Sequence, residues 1–179
     1  MVFFLCLDYN FNCRVQGGEK VDLSKSLENG LGNSESIYIA ALTDDTKYIL
    51  RYHQDGRDIN ILDERHQSLL HLATRNKAML SLELLLELGV NPNIGDKYED
   101  TPLHIASFMG NVEMVEMLLK YNADPNQANK RKETPLHKGS FKGEIGVIKL
   151  LLDNKADIYL TDEFHASVLQ YAVRSKKIK

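Results

Sequence analysis

The chain has 179 residues, 43% of them hydrophobic, with a formal net charge of −3 and two cysteines, and its isoelectric point is near 6.1. That length suits one domain with a continuous core, and the charge supplies no basic field of the kind that draws a protein to nucleic acid or an anionic membrane. Cys6 and Cys13 both precede the patterned part of the chain and lack zinc-type spacing; they signal neither a disulfide framework nor a metal site, and a reducing, cytoplasmic compartment is expected.

Residues 1–34 carry no periodic pattern. The apolar run at 2–7 stops at Asp8 and lacks a basic flank, which is too short for a membrane span and poor for a signal peptide. Gly17-Gly18, Asn29-Gly30 and Gly32-Asn33 are turn or linker signals, while Val21, Leu23, Leu27 and Leu31 could form a short capping helix. A cap and a disordered leader both remain open for this segment.

One interval dominates the rest. Thr101-Pro102-Leu103-His104 returns intact as Thr134-Pro135-Leu136-His137, with weaker copies at Ser68-Leu69-Leu70-His71 and Ser167-Val168-Leu169-Gln170, each 33 positions from the next. A fixed period of this size means stacked small units rather than one closed core, and it turns the question from catalysis to surface recognition. In the clearest unit Thr101 is a helix N-cap and Pro102 occupies the first helical position, where its missing amide costs nothing. Leu103, Ile105 and Ala106 give the helix an apolar side, and Gly110-Asn111 interrupts it after about two turns. A second helix follows, with Val112, Val115, Leu118 and Leu119 spaced as one buried stripe. Asn122 ends it by tolerating a left-handed backbone, and Ala123-Asp124-Pro125-Asn126 leads into a turn, with Asn129 opening the next unit.

Positions not used to find the period agree with it. The helix-terminating column reads Gly56, Gly89, Asn122 and Lys155; the turn-entry column reads Asn60, Asn93, Asn126 and Tyr159. The first-helix small-residue column is Ala40, Ala73, Ala106, Gly139 and Ala172, and the second-helix core column is Ile49, Leu82, Val115 and Ile148. The four prolines fall into two pairs one period apart, Pro92 with Pro125 and Pro102 with Pro135.

These residues resemble the ankyrin repeat family, whose unit has this length, a TPLH-type opening, a short inner helix, a longer outer helix with paired Leu, and a hairpin turn. The resemblance covers residues 35–179 and implies a mainly α solenoid of stacked helix-turn-helix units joined by β-hairpin-like turns. It divides the chain into a leader at 1–34, a degenerate repeat at 35–62, repeats at 63–95, 96–128 and 129–161, and a partial repeat at 162–179. Two departures stand out. Where the family places Gly in the hairpin, this chain has His66, Glu99, Lys132 and His165, so strained turns or another turn type are expected. The partial repeat also stops after its inner helix; either the run Ser175-Lys176-Lys177-Ile178-Lys179 solvates that end or the chain is part of something longer. Gly139, Gly143 and Gly146 weaken the last full repeat, an interior Gly costing about 1 kcal/mol against Ala.

The resemblance also assigns His71, His104 and His137 a structural role, bonding the Thr hydroxyl and neighbouring backbone; they recur one per repeat and do not converge as metal ligands or acid/base groups would. His53, His66 and His165 are expected at the surface, and no HExxH or His-Cys cluster accompanies them. Gly139-Ser140-Phe141-Lys142-Gly143 matches neither a nucleophile elbow nor a phosphate loop. Asp44-Asp45, Glu83, Glu87, Glu113 and Glu116 have the spacing of a solvated helix face. No enzyme, cofactor or metal is therefore expected. The basic runs Lys130-Arg131-Lys132 and Lys176-Lys177 could serve nuclear localisation or an acidic partner, and otherwise read as soluble surface.

Family members most often touch partners with hairpin tips and the exposed side of the inner helices, which line a concave groove. Carried over by position, the candidates are Arg65, Arg75, Lys97, Tyr98, Phe108, Met109, Lys130, Arg131, Phe141, Lys142 and Phe164, flanked by Glu64, Gln67, Asn76, Asp100, Glu133, Glu163 and Arg174. Tyr98, Phe108, Met109 and Phe141 form an apolar patch of the kind that marks a protein contact, although Phe108 and Phe141 could instead turn inward and pad the helix junction. The implied function is a non-catalytic protein interaction scaffold, acting as a monomer or within a hetero-complex. The alternatives are a recognition or inhibitory subunit, such as a ubiquitin-ligase adaptor or a transcription-factor-retaining inhibitor, and a targeting segment of a longer enzyme.

Overall fold

A computed structural model describes residues 5–6, 13–14 and 33–175. The chain divides into two compact units, Met1–Ile37 and Tyr38–Lys179. In the first, strands β1 (Leu5–Cys6) and β2 (Cys13–Arg14) pair antiparallel, with Leu5 opposite Arg14 and Cys6 opposite Cys13. The capping helix expected from Val21, Leu23, Leu27 and Leu31 lies outside the described residues, as does the basic run from Lys176 to Lys179.

The second unit is a stack of helix pairs. Helix α1 (Asn33–Thr43), within which the division falls, is followed by α2 (Thr46–Gln54), α3 (Leu69–Asn76), α4 (Met79–Glu87), α5 (Pro102–Met109), α6 (Val112–Lys120), α7 (Pro135–Lys142), α8 (Ile145–Asp153) and α9 (Val168–Arg174). Within a repeat α3 packs on α4, α5 on α6 and α7 on α8. Between repeats the inner helices α3, α5, α7 and α9 contact one another in series, and so do the outer helices α2, α4, α6 and α8. Leu70, Leu103 and Leu136 are each fully buried at the same place in successive layers, whereas Leu169, their counterpart in α9, is 65% exposed.

Local chemistry explains the repeat. Thr101 is extended (φ −84°, ψ 167°) and its hydroxyl accepts the His104 amide, Pro102 opens α5, and Gly110 closes it in the left-handed region. The outer helix then starts at once, capped by Asn111 in α6. The second outer helix, α4, has Ala78 at its N-cap and no side-chain cap of its own. Asp44 of the preceding repeat supplies it, accepting the Ser81 amide at 2.6 Å, while Asp45 caps α2 through the Tyr48 amide. Asp44 and Asp45 are thus capping groups and not the solvated face expected of them. Glu83, Glu87, Glu113 and Glu116 are exposed on the outer helices as expected.

Three left-handed positions recur in each repeat. Asp44, Lys77, Gly110 and Gly143 close inner helices (φ 63°, 57°, 71°, 69°); Gly56, Gly89, Asn122 and Lys155 close outer ones (φ 74°, 83°, 65°, 67°); His66, Glu99, Lys132 and His165 sit in the hairpins (φ 58°, 61°, 55°, 60°). The hairpins therefore keep the turn that glycine would favour and impose it on residues with a Cβ, at a cost of about 1–2 kcal/mol each. Replacing Glu99 or Lys132 with Gly is expected to raise stability in urea by about 0.5–1 kcal/mol per site, the strain relief being partly offset by a freer unfolded chain. A loss of stability would mean that the side chain makes a compensating contact.

Two expectations about packing are corrected. On α6 the buried stripe is Met114, Val115 and Leu118, while Val112 at the first helical position is exposed. Gly143 is not a weakness but the left-handed closure of α7, and Gly146 is a close approach: a Cβ there would lie 2.9 Å from Val112 Cγ2 of the neighbouring outer helix.

Candidate interaction surface

The surface is positioned by polar links that recur with the period. At each hairpin one carboxylate or amide folds the tip: Asp63 Oδ1 accepts the Arg65 and Gln67 amides, Asp96 Oδ1 those of Tyr98 and Asp100, Asn129 Oδ1 those of Arg131 and Glu133, and Asp162 Oδ1 those of Phe164 and Ala166. Neighbouring tips then join through the backbone, Lys97 N–H donating to Arg65 O (3.2 Å), Lys130 N–H to Tyr98 O (3.0 Å) and Glu163 N–H to Arg131 O (2.9 Å). At the foot of the outer helices Asn93 clamps the next repeat, donating to Asn122 O and accepting from the Asp124 amide, and Asn126 does the same with Lys155 O and the Asp157 amide. Beyond entering the turn, the side chains of these two asparagines tie layer to layer.

The histidines behave as the resemblance implied. His71 and His104 accept the N-cap amide at Nδ1 (3.1 Å each), so the proton sits on Nε2, which donates to the carbonyl of Asp100 (2.9 Å) and of Glu133 (3.0 Å) one repeat on. His137 repeats the Nδ1 contact with Thr134 at 3.1 Å. Its buried Nε2 has no partner of good hydrogen-bond geometry, although the nearby Ala166 carbonyl still favours the protonated ring, and Tyr171 packs edge-on at 5.1 Å. Burial lowers the pKa of all three rings, against the opposing pull of those carbonyls. His53, His66 and His165 are exposed.

A polar network that the sequence reading missed links the two full repeats from residue 96 to 161 with the hairpin and helix α9 that follow them. Glu133 and Gln67, expected as surface contacts, are buried. Glu133 accepts from Lys138 Nζ (2.6 Å), Asn129 Nδ2 (3.0 Å) and the Tyr171 hydroxyl (2.9 Å), with Arg131 Nη2 at 3.3 Å. Lys138 also reaches Asp100 at 3.5 Å, and the Tyr171 hydroxyl is shared with Asp162 Oδ2 at 2.8 Å. Burial alone would raise the Glu133 pKa, but the hydrogen bonds from Lys138, Asn129 and Tyr171 and the Lys138 charge bring it down to about 2. Burial and the two carboxylates push the Tyr171 phenol upward. Gln67, with its amide oriented to present oxygen to the guanidinium, accepts from Arg75 Nε and Nη2 at 3.0 and 3.1 Å, and Arg75 bonds Asp96 at 3.3 Å. One signal could have revealed the network: the column Leu72, Ile105, Lys138, Tyr171 places a lysine and a phenol where other repeats have aliphatic residues, and such groups need partners.

Of the carried-over contact residues, Arg65, Arg75, Lys97, Tyr98, Phe108, Lys130, Arg131, Phe141 and Phe164 are exposed, and Met109 and Lys142 are half-buried. Phe108 and Phe141 are neither fully exposed nor turned into the helix junction. They are 42% and 45% exposed, yet Phe141 meets Tyr171 edge-on at 6.3 Å and Lys142 Nζ covers the Phe108 ring at 4.3 Å. Phe164 is 77% exposed. Among the described residues no group of three or more His, Cys, Asp or Glu could hold a metal ion, and no helix is long and apolar enough to cross a membrane.

Comparison with protein-family models matches residues 37–129 to ankyrin repeats in three copies and residues 131–163 to a further ankyrin repeat. None of the curated proteins compared matches the chain.

Proposed function

Since the chain belongs to the ankyrin repeat family, whose repeats are generally protein interaction modules and typically non-catalytic, we propose that residues 35–179 form a scaffold holding a partner protein against hairpin tips and inner helices, without chemistry of its own. The observation that carries this reading is the row of Tyr98, Phe108, Phe141 and Phe164, exposed in successive repeats beside the tip cations. Partly shielded rings ringed by polar groups are the usual anchors of protein contacts.

The test is partner capture by crosslinking and mass spectrometry in native cells. Phe108→Ala/Phe141→Ala is expected to lower capture by about ten-fold or more, as loss of central aromatic anchors does, while circular dichroism stays that of a helical stack. Undiminished capture would remove this face from the interaction.

A further inference from the structure

Exposed cations cluster at two adjacent hairpin tips. Lys97, Lys130, Arg131 and Lys132 crown the tips of the second and third full-period repeats, with Lys142 on the inner helix beside them, whereas the outer helices mix Glu83, Glu87, Glu113 and Glu116 with Lys120 and Lys149. The chain as a whole is negative, so the absence of a global basic field conceals a local one. Several of these cations are steered without being neutralised. Lys97 Nζ lies 4.7 Å from the Tyr98 ring centroid, Lys142 Nζ lies 4.3 Å from that of Phe108, and Lys130 Nζ donates to the Lys97 carbonyl at 2.7 Å. Among the described residues, the ion pairs of the repeats go instead to Arg75, Arg131 and Lys138. A ring face or a carbonyl orients an ammonium group but leaves its full charge for an incoming anion.

Resting on the recognition face proposed above, we infer that the tips of these two repeats take an acidic protein segment, its carboxylates on Lys97 and Lys130 and a neighbouring apolar side chain against Phe108 and Phe141. Complementary charge of this kind sets partner choice and encounter rate. The patch is short. Glu64 and Glu163 stand on the flanking tips and Glu99 between the cations, so a nucleic-acid strand, with a phosphate at every step, would be repelled beyond two repeats. The same glutamates oppose a flat anionic lipid surface.

The experiment uses the full chain and a fluorescein-labelled peptide alternating Glu with Leu, compared with its Gln/Leu counterpart, an oligothymidylate and phosphatidylserine vesicles. The acidic peptide is expected to bind, more weakly as salt rises, and Lys97→Glu/Lys130→Glu to weaken it by about ten-fold or more. Lys120→Glu/Lys149→Glu on the outer helices changes net charge equally and is expected to leave binding nearly unchanged. No binding of the acidic peptide, equal binding of the Gln counterpart, equal loss in the outer-helix variant, or tighter binding of the oligonucleotide or vesicle would each overturn the assignment. If Phe108→Ala/Phe141→Ala abolishes cellular capture while Lys97→Glu/Lys130→Glu leaves acidic-peptide binding intact, the scaffold stands and only the acidic segment falls.

Discussion

Replacing Glu133 with alanine is expected to destabilise the protein by about 3 kcal/mol, the lower end of what breaking a buried ion pair costs. The side chain is nearly inaccessible and satisfies Lys138, Asn129 and Tyr171 together. Its removal strands a largely buried ammonium group, and the loss stays at the lower end because Asp100 remains 3.5 Å from Lys138. Glu133→Gln keeps acceptor oxygen but not charge and is expected to lose less. Equilibrium unfolding in urea measures both, and a loss below about 1 kcal/mol for the alanine variant would mean that Asp100 and solvent replace the carboxylate. The network also has its own pH window. Because the folded-state pKa of Glu133 is lowered to about 2 from 4.5, its contribution is present above pH 4.5 and is lost as pH falls from there towards 2.

Stability is expected to fall earlier than that, once pH drops below 6.5, through His71, His104 and His137. Their folded-state pKa values lie below the ordinary 6.5, so on acidification the unfolded chain takes up protons that the folded one excludes. The stabilisation is complete above 6.5 and is lost as pH descends towards the depressed values, with a limiting slope of about 1.4 kcal/mol per pH unit for each ring. The chain contains its own non-titrating control: Gln170 stands in the fourth histidine position, and its Oε1 accepts the Ser167 amide at 2.7 Å. The variant His71→Gln/His104→Gln/His137→Gln is expected to keep the caps, lose stability at pH 7 by surrendering the bonds to the Asp100 and Glu133 carbonyls, and flatten the profile between pH 5 and 6.5. An unchanged slope there would place the acid sensitivity in other groups.

What could be read from the sequence is what each repeat does identically. The caps at Thr101 and Thr134, the prolines behind them and the left-handed closures recur at fixed spacing because every layer solves the same backbone problem. Even the unfavourable cases followed: Lys155 adopts φ 67° in a column of Gly and Asn because the frame overrides its preference. What escaped was what one layer does differently. Lys138 and Tyr171 share one column while Glu133 stands in another, and their meeting depends on side-chain reach across layers, on which a period is silent. Asp44 escaped for a similar reason, since its carboxylate serves a helix start 37 positions away. The exposure of the candidate residues was legible as a set of columns, but Phe108 and Phe141 are half-shielded because Lys142 and Tyr171, in other columns, are their neighbours.

The asparagine clamps give the stack a mechanical direction. Layers 63–95, 96–128 and 129–161 are fastened at two places, the hairpin tip and the foot of the outer helix through Asn93 and Asn126, so a tensile load on them is shared. Helix α9 is fastened through the tip amide of Glu163, the Tyr171 hydroxyl and its packing on α7. Drawn apart along the stack, the doubly fastened layers have to break both attachments together rather than one bond at a time.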